Sequence, residues 1–367
     1  MAKAFSILLS DPFGTDSETN SLAAFRTLAS EPFGGRYRLV DFILSSLVNS
    51  GIYRVGVLTK SHYGSLMDHL GWGKDWDLNR RDGGLQFLTP FIRENLDHNA
   101  KNNVDALISA RTFIEDAKEE TAILASGNLV ANIDFRDVLS YHEKSDADIT
   151  ALYVKGRSMG KKPSAVKLEA DGRVVNAVDG FTDYTSLRVF VFKKEVLLEL
   201  LDRAEAERWS DIQQDFVIRN LNDYRVYAYE QTGFCCSVNN VEEYYNANMA
   251  LLDEKVREEL FFGPYPVLTR VKNSAPTFYG FESKVENSLV ADGCTIDGQL
   301  KNCIVFRDVV VEKGAVLENC ILMQNTRVEA DAKLTCVITD KDVTVKEGRV
   351  LSGYTSYPFV VEKGAVI

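Results

Sequence analysis

The sequence predicts an α/β domain built on a mostly parallel sheet, followed by a smaller parallel β-helix. Two patterns carry that prediction. Over residues 1–252, short apolar segments alternate with longer amphipathic ones, the rhythm of a sheet wrapped by helices on both faces. From about Thr277 the rhythm becomes a near-repeat. Asn287-Ser288-Leu289-Val290 is echoed by Asn302-Cys303-Ile304-Val305, Asn319-Cys320-Ile321-Leu322 and Thr335-Cys336-Val337-Ile338, at steps of 15, 17 and 16 residues. Val-Glu-Lys-Gly-Ala-Val occurs at 311–316 and again at 361–366. A small aliphatic residue every sixth position, as at Val310 and Val316, fits stacked coils of three short faces. Residues 253–275 read as a linker, broken by Gly263, Pro264 and Pro266, and the β-helix is placed at 276–367.

Taken in order, Phe5–Leu9 is a buried-type strand and Ser10–Ser21 a polar stretch. Residues 22–30 form a loop or short turn. In 31–59, Pro32, Gly34 and Gly35 are turn residues. Asp41 opens a helix on which Leu44, Leu47 and Val48 recur at helical spacing, and Gly51 ends it. Ile52, Val55, Val57 and Leu58 then make a strand. Gly71 to Gly84 is a polar loop with two tryptophans. Strands follow at Phe87–Pro90, Thr121–Ala125 and Ile149–Lys155, with helices at Asn102–Ile114 and Phe135–Lys144. A hairpin joins Ala165–Leu168 to Val174–Val178 around Asp171-Gly172. Arg188–Phe192 and Arg225–Glu230 are strands. Lys194–Ala206 and Val241–Leu252 are helices, and Asp253–Glu259 is an acidic helical stretch with a solvated face.

The 367 residues carry a net charge of −11, which argues against nucleic acid as a partner. The apolar run at the N-terminus is too short to span a membrane and lacks a signal peptide's features. Six cysteines without CxxC spacing suit a reducing, cytoplasmic setting. Adjacent Cys235 and Cys236 read as small buried side chains rather than a redox pair, and the β-helix cysteines as apolar fillers stacked on one face. His62, His69, His98 and His142 show no metal-type spacing, so no metal is assigned to this chain.

Pro-Phe-Gly-Gly-Arg-Tyr-Arg-Leu-Val-Asp-Phe at 32–42, with Asn49-Ser50-Gly51-Ile52, Trp76-Asp77-Leu78, Gly83-Gly84 and Asn248-Met249, resembles the bacterial ADP-glucose pyrophosphorylases (glucose-1-phosphate adenylyltransferases). The resemblance covers essentially the whole chain. It implies a nucleotidyltransferase-like, Rossmann-like first domain and a left-handed hexapeptide β-helix. Within that family the chain is most similar to GlgD-type regulatory subunits, because four parts of the family's active site are altered together. The glycine-rich phosphate loop is replaced by Ser10-Asp11-Pro12-Phe13-Gly14-Thr15: proline removes an N–H donor, and Asp11 puts negative charge where phosphate sits. At the lysine of the Ala-Lys-Pro segment stands Leu28. The aspartate of Ser-Gly-Asp is Asn128, after Ser126-Gly127, and a neutral amide is a poor ligand for Mg²⁺. The second metal aspartate falls at Ser237, in Cys235-Cys236-Ser237-Val238-Asn239. The Glu-Lys-Pro sugar-phosphate motif becomes Asp179-Gly180-Phe181.

The resemblance therefore implies a subunit without catalytic residues, degenerate at Leu28, Asn128 and Ser237. A vestigial pocket is expected near Ser10, Asp11, Gly34, Gly35, Asn103, Asp105 and Gly127. Arg26, Arg36 and Arg38 are candidates for an anionic sugar-phosphate effector. No cofactor is expected on this chain, and Mg²⁺ only on a catalytic partner, with which a heterotetramer forms. Self-association through the β-helix is a further expectation. Two rival readings stand beside this one: an active transferase in which Asp11 or Asp105 supplies a carboxylate, and a stand-alone nucleotide or sugar-phosphate sensor.

Overall fold

The computed structural model describes residues 4–11, 21–59, 62–89, 102–155, 164–169, 172–179 and 184–367. Its first strand, β1 (Ala4–Leu9), is buried along its whole length. Phe5, Ile7 and Leu9 face one apolar cluster and Ala4 and Leu8 the other. A strand covered on both faces has no polar side to show, so it reads as a continuous apolar run. Two 3-10 turns, Ser21–Phe25 and Leu28–Ser30, lead into the hairpin β2 (Pro32–Phe33) and β3 (Tyr37–Arg38). Helix α1 (Leu39–Asn49) follows at once. Asp41 lies in its first turn rather than at its start, where the carboxylate accepts the Arg38 N–H at 2.9 Å. Gly51, at φ 79°, supplies the left-handed residue after the helix.

Next come β4 (Arg54–Leu58), α2 (Gly64–Leu70) and β5 (Gly84–Leu88). The tryptophan loop before β5 buries Trp76 and exposes Trp72. The single helix expected at 102–114 is two, α3 (Asn103–Ser109) and α4 (Arg111–Glu115), interrupted at Ala110. Then follow β6 (Thr121–Ser126), β7 (Leu129–Ala131), α5 (Phe135–Lys144), β8 (Ile149–Lys155), β9 (Ser164–Leu168), β10 (Val174–Asp179), β11 (Tyr184–Lys193) and α6 (Lys194–Glu207). A π-helical segment at Ile212–Ile218, which the periodicity does not reveal, precedes β12 (Val226–Glu230), β13 (Cys235–Ser237), α7 (Val241–Ala250) and α8 (Glu254–Phe261).

The main sheet has nine strands and is parallel-rich. β5, β4, β1 and β6 are parallel neighbours, and β12 runs parallel to β8. β11 is antiparallel to both β6 and β8, and the β9–β10 hairpin extends the sheet. α3, α4, α6 and the π-helical segment cover one face, and α1 and α5 the other. β7 and β13 form a separate antiparallel pair beyond the ends of β1 and β6.

Residues 253–275 are not a free tether. Phe261 of α8 stacks on Tyr37, ring centroids 5.1 Å apart. The chain then straps along α1: Asn49 Nδ2 donates to the Pro266 carbonyl at 3.0 Å, the Leu268 N–H to Ser45 Oγ at 2.8 Å, and Thr269 Oγ1 to Asp41 Oδ2 at 2.6 Å.

From Phe278 the chain winds a left-handed parallel β-helix of three five-stranded sheets. The coil interior corrects the sequence phase by one residue. Val311 and Leu317 point inward, whereas Val310 is half-buried and Val316 faces out at 38% exposure. Such a slip moves a whole row to the other face. The last echo is also displaced. Ile321 pairs with Ile338, a step of 17, so Cys336 stacks beside Asn319 and Val337 beside Cys320. Only Cys303 and Cys320 therefore share an inward row, and Cys336 takes a left-handed corner at φ 52°, after Asn287, Asn302 and Asn319 at 41°, 52° and 55°.

One outer face of this β-helix is apolar and buried. Ile304, Ile321, Met323 and Ile338 pack in one cluster with Tyr244 and Tyr245 of α7 and with Phe33 and Phe42. Each such side chain contributes about 1.5–3 kcal/mol on burial, so the two domains are held as one packed unit.

Candidate functional site

In open α/β sheets, ligands bind beyond the carboxyl ends of the strands. Here β1 ends at Leu9, β4 at Leu58 and β6 at Ser126. The expected residues Ser10, Asp11, Asn103 and Gly127 collect there. Leu9, Ser10, Asp11, Leu58, Asn103 and Ala106 line a narrow crevice there. Pro12, Phe13, Gly14 and Thr15 lie outside the described residues, as do Gly180 and Phe181 of the shortened motif.

Asp11 is turned inward. Its Oδ1 accepts the Leu28 N–H at 3.2 Å and its Oδ2 accepts Ser10 Oγ at 3.0 Å. A backbone amide at the strand end is thus met by a carboxylate of the chain itself. Leu28 is fully buried at the start of its 3-10 turn. Gly127 donates to the Leu9 carbonyl at 2.8 Å, and a β-carbon on it would lie 2.7 Å from that of Ala29. The residue must be glycine for the turn to close on β1. Asp105 sits in the first turn of α3, its N–H held by Asn102 Oδ1 at 2.9 Å. Gly34 and Gly35 lie elsewhere, in the β2–β3 turn. Gly34 donates to Asn248 Oδ1 at 2.9 Å, and a β-carbon on Gly35 would meet the Val305 carbonyl at 3.4 Å. Gly35 thus lies against the β-helix, and Gly34 against α7 of the first domain.

The two positions that the sequence marks as altered metal ligands, Asn128 and Ser237, do come together. The Val238 N–H donates to the Asn128 carbonyl at 3.0 Å, and Ser237 pairs with Leu129 across β7 and β13. Asn128 is buried, and both ends of its side chain are hydrogen-bonded. Oδ1 accepts from Ser126 Oγ. Nδ2 donates to the Val238 carbonyl at 2.6 Å and to Asn239 Oδ1 at 3.1 Å. Asn239 in turn sends its backbone N–H and its Nδ2 to Glu243 Oε2, both at 2.8 Å.

The carboxylate fixes the direction of this row. An ionised Glu243 can only accept, so Asn239 must point its NH₂ at it and its oxygen at Asn128. Asn128 must then present its own NH₂. Two oxygens, the Val238 carbonyl and Asn239 Oδ1, converge on the side chain of residue 128, where a carboxylate would be repelled and an amide is accepted. The residues present do not fit Mg²⁺, which is held through carboxylates and substrate phosphates. Among the described residues no group of three His, Cys, Asp or Glu is placed to hold a metal ion.

Sequence reasoning missed Asn239 and Glu243. A signal for them exists: Asn240 and Glu243 stand three apart at the start of an apolar run, the pattern of a helix cap. Asn240 Oδ1 does accept the Glu243 N–H at 2.9 Å, while the Glu243 carboxylate turns to Asn239.

The candidate effector arginines part company. Arg36 is exposed, 5.7 Å from the centre of the Tyr37 ring. Arg38 Nη1 donates to the Ser65 carbonyl at 2.6 Å and to Ser65 Oγ at 2.8 Å. Burial pulls its guanidinium down to about 10, against the opposing pull of Asp41. Arg26 is buried, and its Nη2 reaches both oxygens of Asp340 at 2.7 and 2.6 Å. Neighbouring ionisable groups are structural. His69 contacts Asp41 Oδ1 at 2.6 Å. His142 contacts Thr150 Oγ1 at 2.7 Å, and burial, aided by Lys193, pushes it down to about 4. Burial raises Cys235 to about 12 and Cys236 further, so neither is a thiolate near neutral pH. Among the described residues no helix is long and apolar enough to cross a membrane.

Comparison with known proteins agrees with this two-part fold. Residues 30–254 match the nucleotidyl transferase family, and residues 277–354 the GlmU-like C-terminal hexapeptide family. The chain is 34% identical to the glycogen biosynthesis protein GlgD of Bacillus subtilis over 94% of its own length and 92% of that protein's. It is 37% identical to GlgD of Geobacillus stearothermophilus, over 93% and 91%. It is 31% identical to a glucose-1-phosphate adenylyltransferase of Desulfitobacterium hafniense, over 86% and 81%.

Proposed function

The chain belongs to the glucose-1-phosphate adenylyltransferase family of nucleotidyl transferases, beside the GlgD glycogen biosynthesis proteins, and on that premise we propose that it acts in glycogen biosynthesis as a catalytically impaired, regulatory member. In this reading it assembles with a catalytic adenylyltransferase subunit in a heterotetramer and raises that subunit's activity. The reaction, ATP with glucose 1-phosphate giving ADP-glucose and pyrophosphate, belongs to the partner.

The observation that carries the reading is the Asn128 amide, whose NH₂ donates at 2.6 and 3.1 Å where a metal ligand would have to offer a lone pair to a cation. Nucleotidyl transfer is almost wholly positioning and charge neutralisation at the phosphates. A site whose oxygens are spent on an amide supplies neither. Asp11, folded onto Leu28 and Ser10, adds negative charge at the strand ends where phosphate oxygens would have to come. The coupling to a partner is a difference in affinity between two states of that partner, typically about 1–3 kcal/mol.

The test is steady-state kinetics of the purified chain with Mg²⁺, ATP and glucose 1-phosphate, alone and mixed with a catalytic relative. Alone, turnover should lie orders of magnitude below the ordinary enzyme range of about 1–10³ s⁻¹. Mixed, the maximal rate or the substrate affinity of the relative should rise. Ordinary turnover by the chain alone, or no effect on the relative, overturns the reading.

A further inference from the structure

Arg26 and Asp340 are 314 positions apart in the chain and meet at the seam between its two domains, with side chains 3% exposed on either side. One guanidinium nitrogen spans both carboxylate oxygens, and Nη1 faces Met323 Sδ at 3.8 Å. Asp340 Oδ1 also accepts the backbone N–H of Lys341 at 2.7 Å. Further cations press on this point. Arg38 and Lys341 each feel Arg26, and Lys272 and Arg270 lie within electrostatic reach of the same groups. Burial and these like charges push the Lys341 ammonium down to about 7, while Asp340 alone among the named neighbours holds it up. The nearby carboxylate of Asp41 has its own partners. Asp41 is taken by His69, Thr269 and the Arg38 N–H. Glu31 is buried at the same seam, where it, Arg26 and Asp340 all act on Tyr244.

A guanidinium, a backbone N–H and nearby cations converging on two oxygens is a donor set suited to a free oxyanion such as phosphate. Here the oxygens arrive on the chain itself. We propose that Asp340 is a built-in counter-ion. Its carboxylate fills an oxyanion place at the seam, so the two domains stay joined without an external anion and the seam does not respond to one. This stands apart from the catalytic reading above, because nothing in it depends on activity.

The experiment is thermal unfolding of the full chain in inorganic phosphate and in chloride at equal ionic strength, for the native chain and for Asp340→Asn. The native Tm should be the same in both salts. Asp340→Asn should melt several degrees lower in chloride, because Arg26 is left buried without its charge partner, and phosphate should restore much of that loss. A phosphate response in the native chain equal to the variant's overturns the proposal. So does a variant that phosphate fails to rescue, since Asp340 is then only half of an ion pair. If Asp340→Asn does not accumulate folded, its refolding yield decides: a higher yield in phosphate than in chloride supports the proposal, and equal yields overturn it. The double variant Arg26→Met with Asp340→Asn should respond to phosphate several-fold less than the single. An equal response would show that Arg26 is not the anchor.

Discussion

Two rows of side-chain amides run through this molecule, and they are built on opposite principles. At one corner of the β-helix, Asn287 Nδ2 donates to Asn302 Oδ1 at 2.8 Å and Asn302 Nδ2 to Asn319 Oδ1 at 3.1 Å. Each amide does the same work as the one before it, at the edge of solvent, and the row has no charged end. In the first domain, Ser126, Asn128, Asn239 and Glu243 form a row in which no two members have the same task. That row is largely buried, and a carboxylate sets its direction. A periodic row tolerates a missing member. A directed row passes an error at one position to every other.

The largest effect is therefore expected at Asn128→Asp. The variant removes two donors and sets a carboxylate against the Val238 carbonyl and Asn239 Oδ1. A loss of about 2–4 kcal/mol at neutral pH follows from an unpaired buried charge and two orphaned acceptors. The new carboxyl should have a folded pKa above its unfolded value of about 4. The deficit is then small below the unfolded pKa, where both states are protonated. It grows as pH rises through that value and levels off above the folded pKa. Urea unfolding across pH measures it. Mg²⁺ should not repair the loss, and repair by Mg²⁺ would show that a cation still fits. The native chain supplies a background of opposite slope. His142, depressed to about 4 from 6.5, makes stability fall as pH drops from about 6.5 towards 4.

A second change sharpens the contrast. Glu243→Gln keeps an acceptor for Asn239 but removes the charge that fixes its orientation, at a cost of about 1–2 kcal/mol. Combined with Asn128→Asp, it should recover about 1 kcal/mol, because Asn239 is then free to turn its NH₂ towards the new carboxylate. Strict additivity in the double-mutant cycle would mean that the direction of the row does not come from Glu243.

These two rows also divide what the sequence discloses. The corner amides announce themselves, because a left-handed residue recurs at each turn and Asn tolerates it. The β-helix was legible because those corners sit inside near-repeats of sequence, with an aliphatic residue every sixth position. Its phase was not, since Val310 and Val311 are the same residue type and only packing tells which points inward. The parallel core of the first domain was legible from buried strands such as Phe5–Leu9, while the antiparallel placing of β11 depends on long-range pairing that no local pattern encodes. At the site, motif comparison found Asn128 and Ser237 as departures. It could not find Asn239 and Glu243, because their meaning lies in which atom faces which. Arg26 looked available for a ligand because its partner, Asp340, lies in the other domain.

The periodic row should absorb damage. Asn302→Gly loses two half-exposed hydrogen bonds but keeps a residue suited to φ 52°, so a cost of no more than about 1 kcal/mol is expected. Asn302→Ala should cost about 1 kcal/mol more than glycine, since alanine pays for the left-handed conformation. Chemical denaturation of the pair isolates the backbone contribution, and equal losses would mean that the corner is not what selects the residue.

The smallest effect is the one that reads the register. Cys336 occupies the fourth corner at φ 52°, beside Asn319. Asparagine is at home in that conformation and cysteine is not. Asn319 accepts from Asn302 through its Oδ1, so its own Nδ2 is directed at the next coil. Cys336→Asn should therefore extend the row by one hydrogen bond and stabilise the chain by roughly 0.5 kcal/mol. The gain is limited because position 336 is buried beside Tyr245, whose hydroxyl donates to the Asn319 carbonyl at 2.8 Å. In the register suggested by the sequence echo, position 336 would instead stack on Cys320 inside the coil. There the same substitution would bury an amide without a partner and cost about 1–3 kcal/mol. The sign of the change in Tm is thus enough to distinguish a corner from a core position.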